Sequence, residues 1–363
     1  MTTATLPTPR PPSWTVKLSD TGAWRTALAS GRPVLAHLNA DTTWLIQLPY
    51  PASATAPEGR SHFNVLVDPW LQGPQSDVAS WFSTQWHVQA PSVQTIKELN
   101  DILGQLEHEG NISKVDASYV DAVAISHEFT DHCHRATLRE LPRDTPVFAT
   151  DKAAKLIRSW SHFDRVITTP GFSQTHEDWT SAIGDKTGSL APWLGIGRIV
   201  TEGNALYYHS AVIIVFDLGT AAGSGRRDAE AIIYSPHGIK PADLAWIKTP
   251  GKRINTLALL HGLDDVRIWM TSQLNLGALN GIEAVRACGA RYWIATHDEV
   301  KKGAGVISWL LRRKSYGLQD AVKAEEAKLD ASGDSPAHYD FVGLGSGDGL
   351  VLQAAAAASS LVA

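Results

Sequence analysis

The sequence predicts a four-layer αββα sandwich, in which two β-sheets pack face to face and helices cover both outer sides. Two observations carry that expectation. In each half of the 363 residues a run of strands comes first and an alternation of strand and helix follows, the order expected when sheets pack together beneath helices. No Pro-, Gly- or Ser-rich linker divides the sequence. One domain is therefore expected over residues 15–353, with flexible tails at 1–14 and 354–363.

The elements follow from local pattern. Val34 to Leu38 and Thr43 to Leu48 read as strands joined by Asn39-Ala40-Asp41, since Asn and Asp tolerate the backbone of a tight hairpin connection. Phe63 to Val67 reads as a third strand, closed by Asp68-Pro69. Ile96, Leu99, Ile102 and Leu103 recur at helical spacing. Ala122 to Ile125 is an apolar strand, Ala136 to Leu141 a helix with His134 near its start, and Pro146 to Ala149 a short strand. Lys152 to Trp160 is an amphipathic helix and Val166 to Thr168 a strand. In the second half, Arg198 to Val200, Leu206 to Tyr208, Val212 to Phe216, Ala231 to Tyr234, Leu257 to Leu260 and Tyr292 to Ala295 read as strands. Asp217 to Asp228 reads as a loop, and Gly277 to Ala287, Val306 to Ser315 and Gln319 to Leu329 as helices.

Composition narrows the function. A net charge of −5 and the lack of a Lys/Arg cluster interleaved with aromatics argue against a nucleic-acid partner, which would need a basic face. No apolar stretch approaches the ~20 residues that span a bilayer, and the Thr/Pro-rich start lacks the apolar core of a signal peptide. The two cysteines, Cys133 and Cys288, form no disulfide framework and no Cys-x-x-Cys zinc pair. A cytoplasmic protein acting on a small molecule is expected. Thirteen tryptophans serve core packing first, with an apolar ligand pocket as the alternative use.

The chemistry is concentrated where strands end. His127, Asp131 and His132 fall within six residues at the exit of the Ala122–Ile125 strand. A loop leaving a rigid strand end can aim imidazole and carboxylate at one point, and these are metal-ligand types. Asp68, His209, His237, His261 and His297 also lie at predicted strand ends, which converge along one edge of a sandwich. For any single strand-end histidine the alternative is a hydrogen-bonded side chain at the core margin. That alternative weighs most for His261 and next for His209. Lys301-Lys302 has the form of a solvated pair, with contact to an anionic substrate as the other use. No Gly-x-Ser-x-Gly elbow is present, and Gly343-x-Gly345-x-Gly347 opens no helix.

The segment His127-Glu128-Phe129-Thr130-Asp131-His132 resembles the His-x-His-x-Asp-His signature of the metallo-β-lactamase superfamily, with Phe129 at the second histidine. Leu66-Val67-Asp68-Pro69 is similar to the early Leu-Ile-Asp-Pro turn of the subgroup that contains ascorbate-phosphate lactonases and N-acylethanolamine phospholipases. The resemblance covers roughly residues 30 to 300. It implies one metal held by Asp131, His132 and His297, and a second position at His127, His209 and His237, weakened by Phe129. His237 stands where relatives carry a bridging aspartate, and His134 is the other candidate to restore a lost ligand. Zn2+ is the default for such a set, with Mn2+ or Fe as fitting alternatives.

The activity implied is metal-dependent hydrolysis of a small, fairly apolar ester, lactone or amide by activated water. Asp131 would ligate and orient that water. His261 first, then His237 or His134, would protonate the leaving group. A metal-dependent phosphodiesterase and a metal-poor binding protein of the same fold are the alternatives, the latter favoured by Phe129 and His237.

Overall fold

The computed structural model describes residues 14–76, 81–108, 118–184, 186–200, 207–219, 228–268, 272–305, 311–332 and 338–354. The first half carries β1 (Thr15–Lys17), α1 (Thr21–Leu28), β2 (Val34–His37), β3 (Trp44–Pro49), β4 (His62–Val67), β5 (Thr84–Trp86), α2 (Ile96–Glu107), β6 (Ala122–Ile125), α3 (Arg135–Leu138), β7 (Val147–Ala149), α4 (Asp151–Ser159) and β8 (Val166–Thr168). The second half carries α5 (Trp179–Ile183), β9 (Leu194–Val200), β10 (Ser210–Phe216), β11 (Ala229–Ser235), β12 (Ile254–His261), β13 (Asp264–Ile268), β14 (Ser272–Asn275) and α6 (Ala278–Cys288). It closes with β15 (Tyr292–Ile294), β16 (Lys302–Ala304), β17 (Leu311–Ser315), α7 (Leu318–Ser332), β18 (Asp340–Val342) and β19 (Asp348–Val351).

Two large sheets form the sandwich, ordered β1-β19-β2-β3-β4-β6-β7-β8 and β18-β15-β12-β11-β10-β9. Strand alternation builds the layers. Trp44, Ile46 and Leu48 of β3 face Ile232, Tyr234, Val212 and Ile214 of the second sheet in one inter-sheet core. Their neighbour Leu45 joins Val123 and Ile125 on the outer side of the first sheet, beneath Trp24 of α1, Leu99 of α2 and Ile157 of α4. On the far side, Ile213, Ile233 and Leu259 meet Ile282 and Val285 of α6, Ile183 of α5 and Ala321 of α7. This is the expected αββα sandwich.

Each sheet is antiparallel on one side and parallel on the other: β4-β6-β7-β8 in the first, β11-β12-β15-β18 in the second. Parallel strands point their carboxyl ends the same way, and ligands in α/β sheets bind outside those ends. That rule places the exits of β4, β6, β11 and β15 together.

Two segments differ from the sequence expectation. Leu311–Ser315, expected in a helix with residues 306–310, is the strand β17, paired antiparallel with β13; residues 306–310 lie outside the described residues. Pairing with a distant strand overrides a helical apolar pattern, because strand preference depends on context. Tyr207 and Tyr208 form a turn rather than a strand, and Leu206 is outside the described residues, as is most of the expected loop after Asp217. The sequence also gave no sign of β1 and β19, whose pairings join opposite ends of the chain.

Candidate metal centre

Three segments of the first sheet build one wall of the site. In the β2–β3 turn, Asn39 Oδ1 accepts from the backbone N–H of Asp41 (2.9 Å) and of Thr43 (2.9 Å). That arrangement fixes the backbone of Asp41. After β4, Asp68 accepts from Ser126 N–H (2.8 Å) and from His132 Nδ1 (2.7 Å). After β6, the turn through Phe129 folds back so that His132 N–H donates to the Phe129 carbonyl (2.9 Å). Thr42 Oγ1 donates to the Asp131 carbonyl (2.7 Å), which ties this turn to the hairpin.

The second sheet supplies the opposite wall. His237 sits in the turn after β11, and its Nδ1 lies 2.8 Å from Asn275 Oδ1. His297 follows β15; its N–H donates to the Asp41 carbonyl (2.9 Å) and its Nδ1 to Asp41 Oδ1 (3.0 Å). Trp44 Nε1 donates to Thr296 Oγ1 (2.9 Å), so the end of β15 is pinned to the first sheet. Asp68 and His297 are two of the four described non-glycine residues in the left-handed region, at φ 44° and 59°. Such backbone costs of order 1–3 kcal/mol each and persists where the surroundings over-determine it.

These walls converge. His132 Nε2 and His237 Nε2 are 3.0 Å apart. Donor atoms of His132, His237 and His297 all lie within 4.8 Å of one another, as do those of Asp41, Asp131 and His297. Asp131 Oδ1 is 3.7 Å from His132 Nε2, and its Oδ2 is 3.9 Å from His297 Nε2. His127 is fully buried and packs edge-on to His237, with ring centroids 4.7 Å apart. Among the described residues, neither of its ring nitrogens has a hydrogen-bond partner.

Proton positions decide what the pair of Nε2 atoms means. An acceptor oxygen faces each Nδ1; with a hydrogen on each Nδ1, two neutral rings would turn Nε2 lone pairs towards each other. Two lone pairs 3.0 Å apart in a dry interior repel unless a positive centre lies between them, either a proton or a metal ion. Two tetrahedral ligands at ~2.0–2.1 Å from one ion stand about 3.3–3.4 Å apart, close to the spacing here. The donors thus fit a metal: three imidazoles and one carboxylate, with His127 a further buried donor.

Electrostatics agree with a centre built for positive charge. Burial pushes the Asp131 carboxyl up, but Lys301, His132 and His297 outweigh it and hold it well below the usual value. Burial likewise raises Asp41, and Lys301 and His297 reverse the effect. Burial lowers His132, yet Asp131 and Asp68 together raise it. Burial, then His132 and His297, press His237 well below the ordinary histidine value.

Not every expected residue arrives here. His209 lies at the start of β10, with Nε2 3.1 Å from the Leu274 carbonyl, and belongs to neither group of converging donors. His261 points away: Leu260 faces the inter-sheet core, so alternation turns His261 outward onto α6. There its Nδ1 meets the Gly262 carbonyl (2.8 Å) and its Nε2 meets Asn280 Oδ1 (2.9 Å). A Cβ at Gly281 would come within 3.0 Å of that ring, which shows how closely α6 presses on it. His134 caps α3: its Nδ1 accepts from the Thr137 N–H (3.4 Å) and lies 2.9 Å from Thr137 Oγ1. Neither His261 nor His134 therefore stands among the converging donors.

Conversely, three residues of the centre escaped notice. Asp41 carried only a turn signal, and Asn275 sits at the end of a strand with no distinguishing pattern. Lys301, expected in a solvated pair, is largely buried, with Nζ 2.7 Å from both Asp41 Oδ2 and Asp131 Oδ2. Phe129 remains partly exposed. Its ring lies 5.7 Å from His237 and 5.9 Å from Tyr208, an apolar side beside the donors.

No protein-family profile matches the chain, and no curated protein matches it in sequence. Solved structures do match in shape. The chain is similar to the isothiocyanate hydrolase from Delia radicum gut bacteria, with 13% identity, 88% of this chain and 100% of that one covered, and a TM-score of 0.51. It is also similar to a possible metal-dependent hydrolase from Veillonella parvula DSM 2008, with 15% identity, 88% and 100% covered and a TM-score of 0.47. The metallo-beta-lactamase fold protein YhfI from Bacillus subtilis matches with 12% identity, 88% and 98% covered and a TM-score of 0.43. At such identities the likeness is one of fold: the chain has the metallo-β-lactamase fold. Among the described residues, no helix is long and apolar enough to cross a membrane.

Proposed function

We propose that this chain is a metal-dependent hydrolase that binds one divalent ion, Zn2+ by default, through His132, His237, His297 and Asp131. The observation that carries the reading is the pair of Nε2 atoms held 3.0 Å apart, each ring facing an oxygen acceptor with its other nitrogen. An ion bound there would lower the pKa of a coordinated water towards about 7 and polarise a substrate carbonyl.

The remaining steps belong to the chain. Asp68 fixes the His132 tautomer and ring plane, as Asn275 does for His237, the supporting role such partners play at metal sites. Asp131 is held as a carboxylate, so it can ligate through one oxygen and orient a water. Buried walls keep bulk solvent from the reacting centre. The partly exposed Phe129 ring supports a small, fairly apolar acyl substrate, an ester, lactone or amide; isothiocyanates join the panel on the fold likeness alone. Cys133 and Cys288, both buried and unbridged, also support a cytoplasmic setting.

The test is metal removal followed by a substrate panel. Purified protein should carry about one ion per chain. Dialysis against a chelator should abolish hydrolysis of at least one p-nitrophenyl ester, lactone, amide or isothiocyanate, and Zn2+ or Mn2+ should restore it. Turnover of bis-p-nitrophenyl phosphate alone would instead support the phosphodiesterase. A second reading, a metal-poor binding protein, is favoured by the Lys301 ammonium that already pairs with Asp41 and Asp131; protein that takes up no ion would establish it.

A further inference from the structure

Lys301 lies where a cation belongs. Its side chain is 9% exposed, and its Nζ is 2.7 Å from Asp41 Oδ2 and 2.7 Å from Asp131 Oδ2. Those two carboxylates and His297 form the second group of converging metal-ligand types. The Asp41 side chain is fully buried, and among the described residues the Lys301 ammonium is the partner of its Oδ2. A buried carboxylate oxygen is poorly satisfied unless a cation or donor sits directly upon it.

The two oxygens of Asp131 divide the centre. Oδ1 is turned towards His132, beside the imidazole group, while Oδ2 meets the ammonium. A carboxylate shared in this way normally bridges two metal ions; here one of the two positive charges comes from the chain itself. An oxygen-bound divalent ion needs its donors at ~2.0–2.2 Å. It cannot share the inner lone pairs of both Oδ2 atoms with an ammonium of like charge 2.7 Å away. The lysine is held in place: Glu299, two residues earlier, accepts from the backbone N–H of Val88 (2.8 Å) and Gln89 (2.9 Å), and β16 begins at Lys302. The Trp70 ring lies 5.5 Å from Nζ.

We infer that Lys301 is a built-in cation that fills one position of a two-cation centre, so that the chain with lysine holds one fewer divalent ion than the chain without it. The latent site is built on the Asp41 and Asp131 carboxylates beside His297, whose Nδ1 is turned to Asp41 Oδ1, and its oxygen donors suit Mn2+. The inference rests on the reading of this cluster as a metal centre, but the two can fail separately, because one concerns the ion count of the natural chain and the other the difference made by one residue.

The experiment compares full-length protein with Lys301→Met and Lys301→Gln, each saturated with Mn2+ or Zn2+, desalted and assayed for metal per chain. The expected result is one additional ion in both variants, removed again by Asp41→Asn in the Lys301→Met background. Lys301→Arg, which keeps the charge, should match the natural chain. An equal ion count in the natural chain and in both uncharged variants overturns the inference, whether that count is zero or one. Should Lys301→Met fold only with the ion supplied, as judged by near-ultraviolet circular dichroism, the inference is supported. Should it fold in neither condition, Lys301→Gln decides alone.

Discussion

His132 follows, and His261 ends, a buried strand in the parallel part of a mixed sheet, and both are fully buried, yet one lies at the centre and the other does not. The difference lies in which way the chain faces as the strand ends. His261 is still within β12, and alternation commits its ring to the outer face, where Asn280 and the Gly262 carbonyl occupy both nitrogens. His132 lies past the strand in a turn that doubles back, so its ring re-enters between the sheets. Asp68 then takes one nitrogen and leaves the other aimed at His237. A strand-end histidine becomes a candidate ligand when its loop escapes the strand's alternation and an acceptor holds the far nitrogen.

Three substitutions sharpen that contrast. His132→Ala should have the largest effect: metal per chain should fall to near zero, and kcat/KM should drop about a thousandfold or more, as expected when several kcal/mol of ion stabilisation is lost. Elemental analysis and the ester assay read both. Asp68→Asn comes next. It leaves His132 in place but removes its charged partner, so ion affinity should weaken by roughly 10–100-fold, measured by competition with a chelating dye. Retained wild-type affinity would break the argument that Asp68 positions the ring.

His261→Gln should change least at the centre, with ion affinity within about twofold of the natural chain. Its effect should appear in stability against pH. Burial lowers the His261 pKa from its ordinary value, so in the folded chain it resists the proton that the unfolded chain accepts below about pH 6.5. The stability it protects is present above that pH and is lost as pH falls. His261→Gln should therefore flatten the acid side of a urea-unfolding series recorded on metal-free protein. Asp131 and Asp68 shift His132 the opposite way, so the two histidines differ in sign as well as in place. An unchanged acid limb in His261→Gln would contradict the assignment of His261 as a buried neutral side chain.

Much of this was legible in the residues. Alternating apolar strands and the repeated strand-then-helix order gave the sandwich, and the short His127–His132 run marked the exit of β6. His237 and His297 were visible for the same reason, as donors just beyond apolar strands. What stayed hidden depended on distance in the chain. Asp41 reads as a turn residue because its partner His297 is 256 positions away. Lys301 reads as one of a solvated pair, because nothing local reveals two carboxylates brought to it from residues 41 and 131. The placement of His261 is different in kind: the apolar residues before it, counted in twos, already place it opposite Leu260, on the helix side.

The most direct test is an anomalous-scattering map from crystals grown with Zn2+. One strong peak per chain is expected, within about 2.0–2.2 Å of His132 Nε2, His237 Nε2, His297 Nε2 and an Asp131 oxygen, with Lys301 still against Asp41. No peak among these side chains, or one seated instead at His209 or His261, would contradict it.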